Sequence, residues 1–270
     1  MIRRINHAPS WIMQILALLL ALFLLLPVAA IFGLGLYYSL GIFLVADTGQ
    51  LMAALAKEAG IMPAMLQTPL IAILVAMLAS AWGLCLSFLW RHWLAERRMS
   101  LVAISALPFL LPRFGVGTLF LLACLKLAQW GGNALGLGLV AVSQAAIAAP
   151  LVAAILCLGW RQVDPHWREA ALEAGADEIT IFRRLIWPSL RPYAAFGGLL
   201  AFILSLGDFY LGNALSGDAV LLPGAILSGV AQNASPLYHA LVALMGFIDV
   251  VLLVVVTRRL RRLPHVWNGY

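Results

Sequence analysis

Six long apolar runs, nearly free of charge, constrain the fold of this sequence more than any other feature. A helix needs about 20 mainly apolar residues to cross roughly 30 Å of hydrocarbon. Strands of a transmembrane barrel would instead alternate apolar and polar residues over about ten positions, a pattern that these runs lack. The runs are Trp11 to Leu40, Leu66 to Trp90, Leu101 to Leu125, Leu135 to Trp160, Tyr193 to Leu215 and Leu237 to Thr257. The sequence therefore predicts an all-α membrane bundle of six transmembrane helices.

Composition excludes the water-soluble classes. Hydrophobic residues make up 64% of the chain and charged residues 10%, whereas a soluble domain usually carries about a quarter charged residues. The net charge of +6 falls in short clusters between the apolar runs rather than along one patch. Such clusters do not indicate a nucleic-acid surface. We expect a protein whose main environment is the lipid bilayer.

The cationic residues predict the orientation of the bundle. All but three of the 17 Lys and Arg residues lie before the first run, after the second, between the fourth and fifth, or after the sixth. The exceptions are Lys57, Lys126 and Arg113. Because cationic loops stay on the cytoplasmic side, we expect both termini in the cytoplasm. Residues 1–270 are then predicted to form a single transmembrane domain.

The first run also resembles a cleavable signal peptide. Arg3 and Arg4 precede the apolar stretch Leu16 to Leu26, and small residues follow at positions 28–30. The apolar character nevertheless continues through Leu40, which makes the run long enough to span the bilayer with some tilt. We expect the segment to be retained as the first span.

The segment 161–192, here called the elbow, is the most highly charged connection between the predicted spans. Asp164 followed by Pro165 indicates a helix start, because Asp accepts hydrogen bonds at the N-cap and Pro lacks the donor that the first turn leaves unpaired. The helix is expected to run to Ala174. Gly175 can then end it in the left-handed conformation.

A second helix of the elbow is predicted to start at Asp177 and Glu178 and to continue through Ile179 to Trp187, where Pro188 blocks extension. The first helix carries a face of small side chains beside an acidic ridge, formed by Ala170, Ala171, Ala174, Glu169 and Glu173. The second carries an apolar face formed by Ile179, Phe182, Leu185 and Ile186. By periodicity alone the elbow could also be an amphipathic connector at the membrane interface.

The elbow also contains a sequence motif with a defined spacing. Glu169-Ala170-Ala171 is followed, after three residues, by Gly175. After nine more residues comes Leu185-Ile186-Trp187-Pro188. This order resembles the EAA motif of permease subunits of binding-protein-dependent ABC importers of type I, whose pattern is EAA, three residues, Gly, nine residues, then Ile-x-Leu-Pro. Leu stands for the usual Ile and Trp for the usual Leu, both apolar exchanges. Six spans with both ends inside also form the common core of that permease fold.

The resemblance implies a function and partners. The loop that carries this motif is the coupling helix, which seats in a groove of a cytoplasmic ATPase subunit. The implied ATPase-coupling residues are Glu169, Ala170, Ala171, Gly175, Leu185, Trp187 and Pro188. The implied partners are two such ATPase subunits, a second permease subunit, identical or homologous, and an extracytoplasmic substrate-binding protein that would face the loop Ser216 to Ser235. The implied location is the bacterial inner membrane.

Polar groups inside the apolar runs are candidates for the substrate path, because a charge facing lipid is costly. Gly207-Asp208-Phe209 resembles the sequence found in the fifth span of the polyamine, thiamine and iron branches of the family. The predicted substrate-path residues are Asp208, Phe209, Tyr210, Asp249 and Arg113. If the solute is an organic cation, the carboxylates of Asp208 and Asp249 suit it by charge pairing, and the rings of Phe209 and Tyr210 suit it by cation–π contact. The alternative for Asp249 is that its carboxyl group is hydrogen-bonded or protonated within the bundle. The alternative for Arg113 is that its guanidinium group reaches the membrane interface.

No enzyme site is predicted. The chain lacks a GxxxxGK[ST] phosphate loop, so ATP and Mg would be bound by the partner subunits and no cofactor by this chain. Its three cysteines and five histidines lack metal-ligand spacing. The alternatives from other classes are a self-sufficient secondary transporter or channel and an intramembrane enzyme. Secondary transporters commonly have duplicated halves, and no such repeat is found here.

Overall fold

The computed structural model describes residues 60–93, 136–232 and 237–261, with isolated positions between 23 and 37 and between 115 and 126. Within these residues all regular structure is helical, which confirms the predicted all-α class. The elements are α1 Ile61–Trp93, α2 Leu137–Trp160, α3 Pro165–Glu173, α4 Glu178–Ile181, a π-helical turn Phe182–Ile186, α5 Trp187–Leu206, α6 Phe209–Leu215, α7 Leu222–Ala231 and α8 Leu237–Arg261. Apart from these isolated positions, the predicted first and third spans lie outside the described residues, and so does Arg113.

Three described helices are long and apolar enough to cross a membrane: Ile61–Trp90, Leu137–Trp160 and Glu178–Leu206. They cover the predicted second and fourth spans and most of the fifth. α8 covers the predicted sixth span and continues to Arg261. The count of six spans and the cytoplasmic position of both termini stay predictions.

The three membrane-length helices form the core of the bundle. Trp160 near the end of α2 donates a hydrogen bond from Nε1 to Oγ of Ser87 near the end of α1, at 3.2 Å. These two helices therefore run in the same direction, as the predicted second and fourth spans should. Ser205 near the end of α5 donates from Oγ to Oε1 of Gln144 near the start of α2, at 2.6 Å. α5 is thus antiparallel to both.

Small residues allow the three helices to approach closely. Val152 of α2 is fully buried between Gly83 of α1 and Gly197 of α5. A Cβ atom added at either glycine would lie 2.8 Å from a side-chain carbon of Val152. Contacts of this kind are typical of transmembrane helix interfaces, where glycine lets backbones pack together.

The predicted fifth span, Tyr193 to Leu215, is interrupted, so its prediction as one continuous helix was wrong. α5 is capped by Gly207, and α6 starts after Asp208, whose Oδ1 accepts a hydrogen bond from the backbone N–H of Leu211 at 3.1 Å. A carboxylate at an N-cap offers the backbone an alternative to helix continuation. The chain therefore breaks at Gly207 and Asp208.

The connection after α6 is also more ordered than the predicted loop Ser216 to Ser235. It contains α7, whose first residue Leu222 donates its backbone N–H to Oγ1 of Thr68 in α1, at 2.8 Å. Thr68 is buried. This bond fixes the start of α7 against the end of the bundle that is opposite the elbow.

Candidate functional site

The first helix of the elbow, α3, starts as predicted. The carboxylate of Asp164 accepts a hydrogen bond from the backbone N–H of His166 at 2.9 Å. Pro165 occupies the first helical position, where its missing N–H leaves no bond unmade. The start of the helix is therefore set by two adjacent residues.

The end of α3 is a left-handed glycine turn, also as predicted. Gly175 has a φ of +80°. Its N–H donates to the carbonyl of Leu172 at 2.9 Å, and the N–H of Ala176 donates to the carbonyl of Ala171 at 2.9 Å. This pair of bonds is the Schellman arrangement, which satisfies helix-end carbonyls and requires a positive φ at the glycine. The bend thus has one defined geometry.

The second helix starts at the predicted position and is tied to the first. Asp177 is the N-cap of α4. Hydrogen bonding lowers the pKa of the Asp177 carboxyl group. The largest effect comes from the Thr180 hydroxyl, and smaller effects come from backbone N–H groups of the first turn. Across the bend, the guanidinium of Arg168 on α3 pairs with the carboxylate of Glu178 on α4. Both side chains are exposed, so this pair orients the helices more than it stabilises them.

The prediction that Pro188 ends the second helix was wrong. α4 passes through the π-helical turn, in which the N–H of Trp187 donates to the carbonyl of Phe182, and then continues as α5. Proline normally clashes with the carbonyl of the preceding turn. A π-helical turn just before the proline widens the backbone, so the helix can continue with Pro188 in the first turn of α5. The elbow is therefore joined to a membrane-length helix without a break.

The inner face of the elbow differs from the predicted apolar face at one end. Ile181, which the predicted face did not include, is 1% exposed, whereas Ile179 is 68% exposed and does not pack on the bundle. The face was predicted to lie on the bundle or on the bilayer surface, and a contact of Ile179 with the bilayer stays a prediction. The wider π-helical turn places Ile186, five residues after Ile181, on the same buried face. Phe182 and Leu185 are partly buried, in agreement with the prediction.

The outer face of the elbow combines acidic and apolar side chains. The predicted docking residues Glu169, Ala170 and Gly175 are exposed, whereas Ala171 is partly buried against the core. Four large apolar side chains of this charged segment are also exposed, namely Trp167, Leu172, Ile179 and Trp187. Trp187 and Pro188 lie exposed at the return to the membrane. Trp167 and Leu172 lie on α3, so they are exposed apolar side chains outside the helices that are long enough to cross a membrane.

The predicted path residue Asp208 lies in a buried polar cluster at the other end of α5. It is 6% exposed and lines a cavity with Gln144 and Ser205, whose side chains are hydrogen-bonded to each other. A second pocket on its other side is lined by Asn213 and Ser216. Gln144 was not predicted. A lone amide side chain within the uncharged run of α2 was the signal that could have indicated it.

Of the other predicted path residues that the structure describes, Phe209 shares a pocket with Asp208, whereas Tyr210 and Asp249 do not line it. Phe209 lines the second pocket and packs edge-on against Tyr210, with ring centroids 5.4 Å apart; Tyr210 is half exposed. Asp249 lies on α8, partly buried, and lines neither cavity of Asp208. Oδ1 of Asp249 is buried without a hydrogen-bond partner among the described residues. The same part of the chain contains no group of three possible metal ligands.

Comparison with known proteins agrees with this architecture. Residues 79–263 match the family described as binding-protein-dependent transport system inner membrane component. Two solved ABC transporter structures share the fold at low identity. The MetNI methionine ABC transporter, in inward-facing conformations, has a TM-score of 0.59 at 16% identity and covers 76% of this chain and 97% of its own. An amino acid ABC transporter with histidines has a TM-score of 0.55 at 17% identity over 81% and 100%.

Several curated relatives are permease proteins. The putrescine transport system permease protein PotI of Escherichia coli K12 is 29% identical over 148 residues, 53% of each chain. The spermidine/putrescine transport system permease protein PotC of Haemophilus influenzae is 31% identical over 124 residues, 46% of this chain and 48% of the relative. The sulfate transport system permease protein CysT of Salmonella typhimurium is 28% identical over 152 residues.

The alignments span about half the length of these curated relatives, whereas the family match covers most of this chain. The family match contains the whole elbow, α2, α5, the part of α1 from residue 79 onward, and the cluster around Asp208. This chain belongs to the family of inner-membrane components of binding-protein-dependent transport systems.

Proposed function

We propose that this chain is a transmembrane permease subunit of an ATP-driven ABC importer that moves a small solute across the inner membrane. The observation that carries the proposal is the elbow. It is a bent helix pair with a fixed geometry, an exposed face of apolar and acidic residues, and an unbroken connection to α5. A partner that binds the exposed face can therefore move a membrane helix directly.

The proposed partners are two cytoplasmic ATPase subunits, a second permease subunit and an extracytoplasmic binding protein. The exposed apolar side chains of Trp167 and Leu172 on α3 favour a protein groove as the occupant of the elbow surface, since bulky apolar groups at a charged surface commonly mark interfaces. Glu169 and Glu173 add negative charge beside them. ATP and Mg would be bound by the ATPase subunits.

The geometry suggests how such a motor would act. The Schellman turn at Gly175 and the Arg168 to Glu178 pair hold α3 and α4 together, while Ile181 and Ile186 anchor them to the core. From Ile181 to Ser205 the chain is helical, a length of about 36 Å at about 1.5 Å per residue. Movement of the elbow is thereby carried as a rigid-body movement to the polar cluster, as alternating access requires.

The proposed substrate is an organic cation, with polyamines as the first candidates. Two relatives are named for putrescine and spermidine transport, but another is named for sulfate, so the names alone do not decide. The buried carboxyl group of Asp208 beside two cavities favours a cationic solute, because opposite charges attract strongly away from water. Gln144 and Ser205 would supply neutral hydrogen-bonding groups.

Gly175→Val is expected to reduce co-purification of the ATPase subunits by about fivefold or more, since a left-handed conformation costs a residue with a Cβ roughly 1–2 kcal/mol. Gly175→Asn is expected to retain most of the binding, because Asn tolerates this conformation. The matched control is Gly217→Val. Gly217 also has a positive φ, +64°, but it follows α6 at the other end of the bundle, so ATPase binding should persist.

The proposal would be overturned by solute uptake into proteoliposomes that contain this chain and no ATPase subunit. Such uptake would favour a self-sufficient secondary transporter or channel. Equal loss of ATPase binding in Gly175→Val and Gly217→Val would also contradict the assignment of the elbow as the docking element. The measurement is the amount of ATPase subunit retained on the purified permease in detergent.

A further inference from the structure

Four aromatic side chains form a continuous row at the elbow end of the core, here called the aromatic row: Phe88, Trp160, Phe182 and Trp187. The rings of Phe88 and Trp160 meet edge-on with centroids 4.8 Å apart. Phe88 and Phe182 are 5.9 Å apart, and Phe182 and Trp187 are 6.2 Å apart, each pair in a tilted arrangement. All three separations lie in the range in which aromatic pairs attract each other. The row thus links α1, α2 and the π-helical turn.

Buried hydrogen bonds hold the part of the aromatic row that lies on α1 and α2, namely Phe88 and Trp160. Oγ of Ser87 donates to the carbonyl of Leu84 at 2.8 Å and accepts from Nε1 of Trp160 at 3.2 Å. Ser87 is fully buried and Trp160 is 7% exposed. Because a buried polar group is costly to unpair, Phe88 and Trp160 form a firm surface for the ring of Phe182.

Phe182 is the member of the row that belongs to the elbow. It is the first residue of the π-helical turn, and its carbonyl accepts the N–H of Trp187. The chain connects the elbow covalently to α2 and α5 but not to α1. The contact between Phe182 and Phe88 is therefore a route from the elbow to α1 that the backbone does not provide. π-helical turns within α-helices are frequent at functional sites.

We propose that Phe182 is a positioning residue that transmits movement of the elbow to α1 through Phe88. The inference rests on the proposed function, since it assumes an ATPase that moves the elbow. α1 supplies Val75 to the cavity of Asp208 and Thr68 to the start of α7. The aromatic row therefore gives movement of the elbow a direct contact with α1, in addition to the packing of α1 against α2 and α5.

The test uses the permease assembled with its ATPase subunits and binding protein in proteoliposomes, with putrescine and spermidine as probes. The variants are Phe182→Leu, Phe88→Leu and the double variant, and the readout is solute taken up per ATP hydrolysed. Each single variant is expected to lower this ratio by roughly two- to tenfold, the size of an aromatic pair contact. ATPase co-purification should remain intact. The effect of the double variant should be smaller than the product of the two single effects, because both single variants remove the contact between Phe182 and Phe88.

Phe196→Leu is the matched control. Phe196 is also partly buried against the same core, on α5, but it does not belong to the aromatic row. Its loss is expected to leave uptake per ATP unchanged. The inference is overturned if Phe182→Leu and Phe88→Leu transport with the normal ratio, if their effects multiply in the double variant, or if Phe196→Leu lowers the ratio equally.

A second measurement does not depend on the yield of each variant. Cys85 of α1 is exposed and three residues from Phe88, so a spin label at Cys85, in a protein without the other two cysteines, reports on α1. ATP is expected to change the label mobility in the parent and not in Phe182→Leu. The inference is overturned if ATP changes the label mobility in Phe182→Leu as much as in the parent. Failure of the proposed function is distinguishable, because then the parent permease itself retains no ATPase subunit.

Discussion

Alanine in place of Gly197 is expected to destabilise the bundle by about 1–3 kcal/mol, the usual cost of overpacking a helix contact. The added Cβ would lie 2.8 Å from Cγ1 of Val152. Valine has few alternative rotamers in a helix, so it cannot easily turn away. The measurement is the unfolding midpoint of the purified permease in detergent, by heat or by a denaturing detergent.

The same valine allows a sharper comparison with Gly83. A Cβ at Gly83 would lie 2.8 Å from both Cβ and Cγ1 of Val152 and 3.1 Å from the backbone nitrogen of Ala153. Val152→Ala removes Cγ1 but keeps Cβ and the backbone. We therefore expect Val152→Ala to relieve most of the clash in Gly197→Ala, and only a small part of the clash in Gly83→Ala.

The control for this pair is Gly138→Ala. Gly138 is also in α2, and a Cβ there would meet nothing within 4 Å. This change should leave the unfolding midpoint unchanged or raise it slightly, since glycine is a poor helix former. Equal midpoints for Gly138→Ala and Gly197→Ala would contradict the close packing of the three helices. Full rescue of Gly83→Ala by Val152→Ala would contradict the position of its backbone contact.

The parts of the fold that could be predicted from sequence are those set by local chemistry. Apolar length predicted α1 and α2 to within a few residues at most ends, because the bilayer imposes a minimum span. The start of α3 at Asp164 and its end at Gly175 were also predictable. A side-chain cap and a left-handed glycine each depend on one or two neighbouring residues.

The parts that could not be predicted depend on competition between local and distant contacts. Pro188 normally ends a helix, and only the π-helical turn before it lets α5 continue. Ile179 and Ile181 are equally apolar, so the sequence could not show which one the wider turn would bury. The polar cluster joins Gln144 and Ser205, which lie on different helices. Helical periodicity carries no information about such pairs.

Removal of the carboxyl group of Asp208 is expected to have the largest effect on transport. In Asp208→Asn the amide oxygen can still accept the N–H of Leu211, which the carboxylate accepts at 3.1 Å, so the start of α6 should persist. The attraction to a cationic solute is lost, and two unit charges 4 Å apart at an effective dielectric of 20 interact with about 4 kcal/mol. We expect uptake of labelled putrescine and spermidine to fall by at least about tenfold, with unchanged ATPase co-purification.

Asp218→Asn is the matched control, since it removes the same group from an exposed position three residues after the end of α6. Because the loop of Asp218 is expected to face the binding protein, both variants are measured with saturating binding protein, and uptake by Asp218→Asn should then be close to that of the parent. Asp208→Leu removes the cap as well as the carboxyl group, so it should also lower the unfolding midpoint, whereas Asp208→Asn should not. Normal amine uptake by Asp208→Asn would mean that Asp208 only caps α6, and the choice of an organic cation as substrate would lose its structural basis. A fall in uptake that is confined to amines would instead place the selectivity of the pathway at the break between α5 and α6.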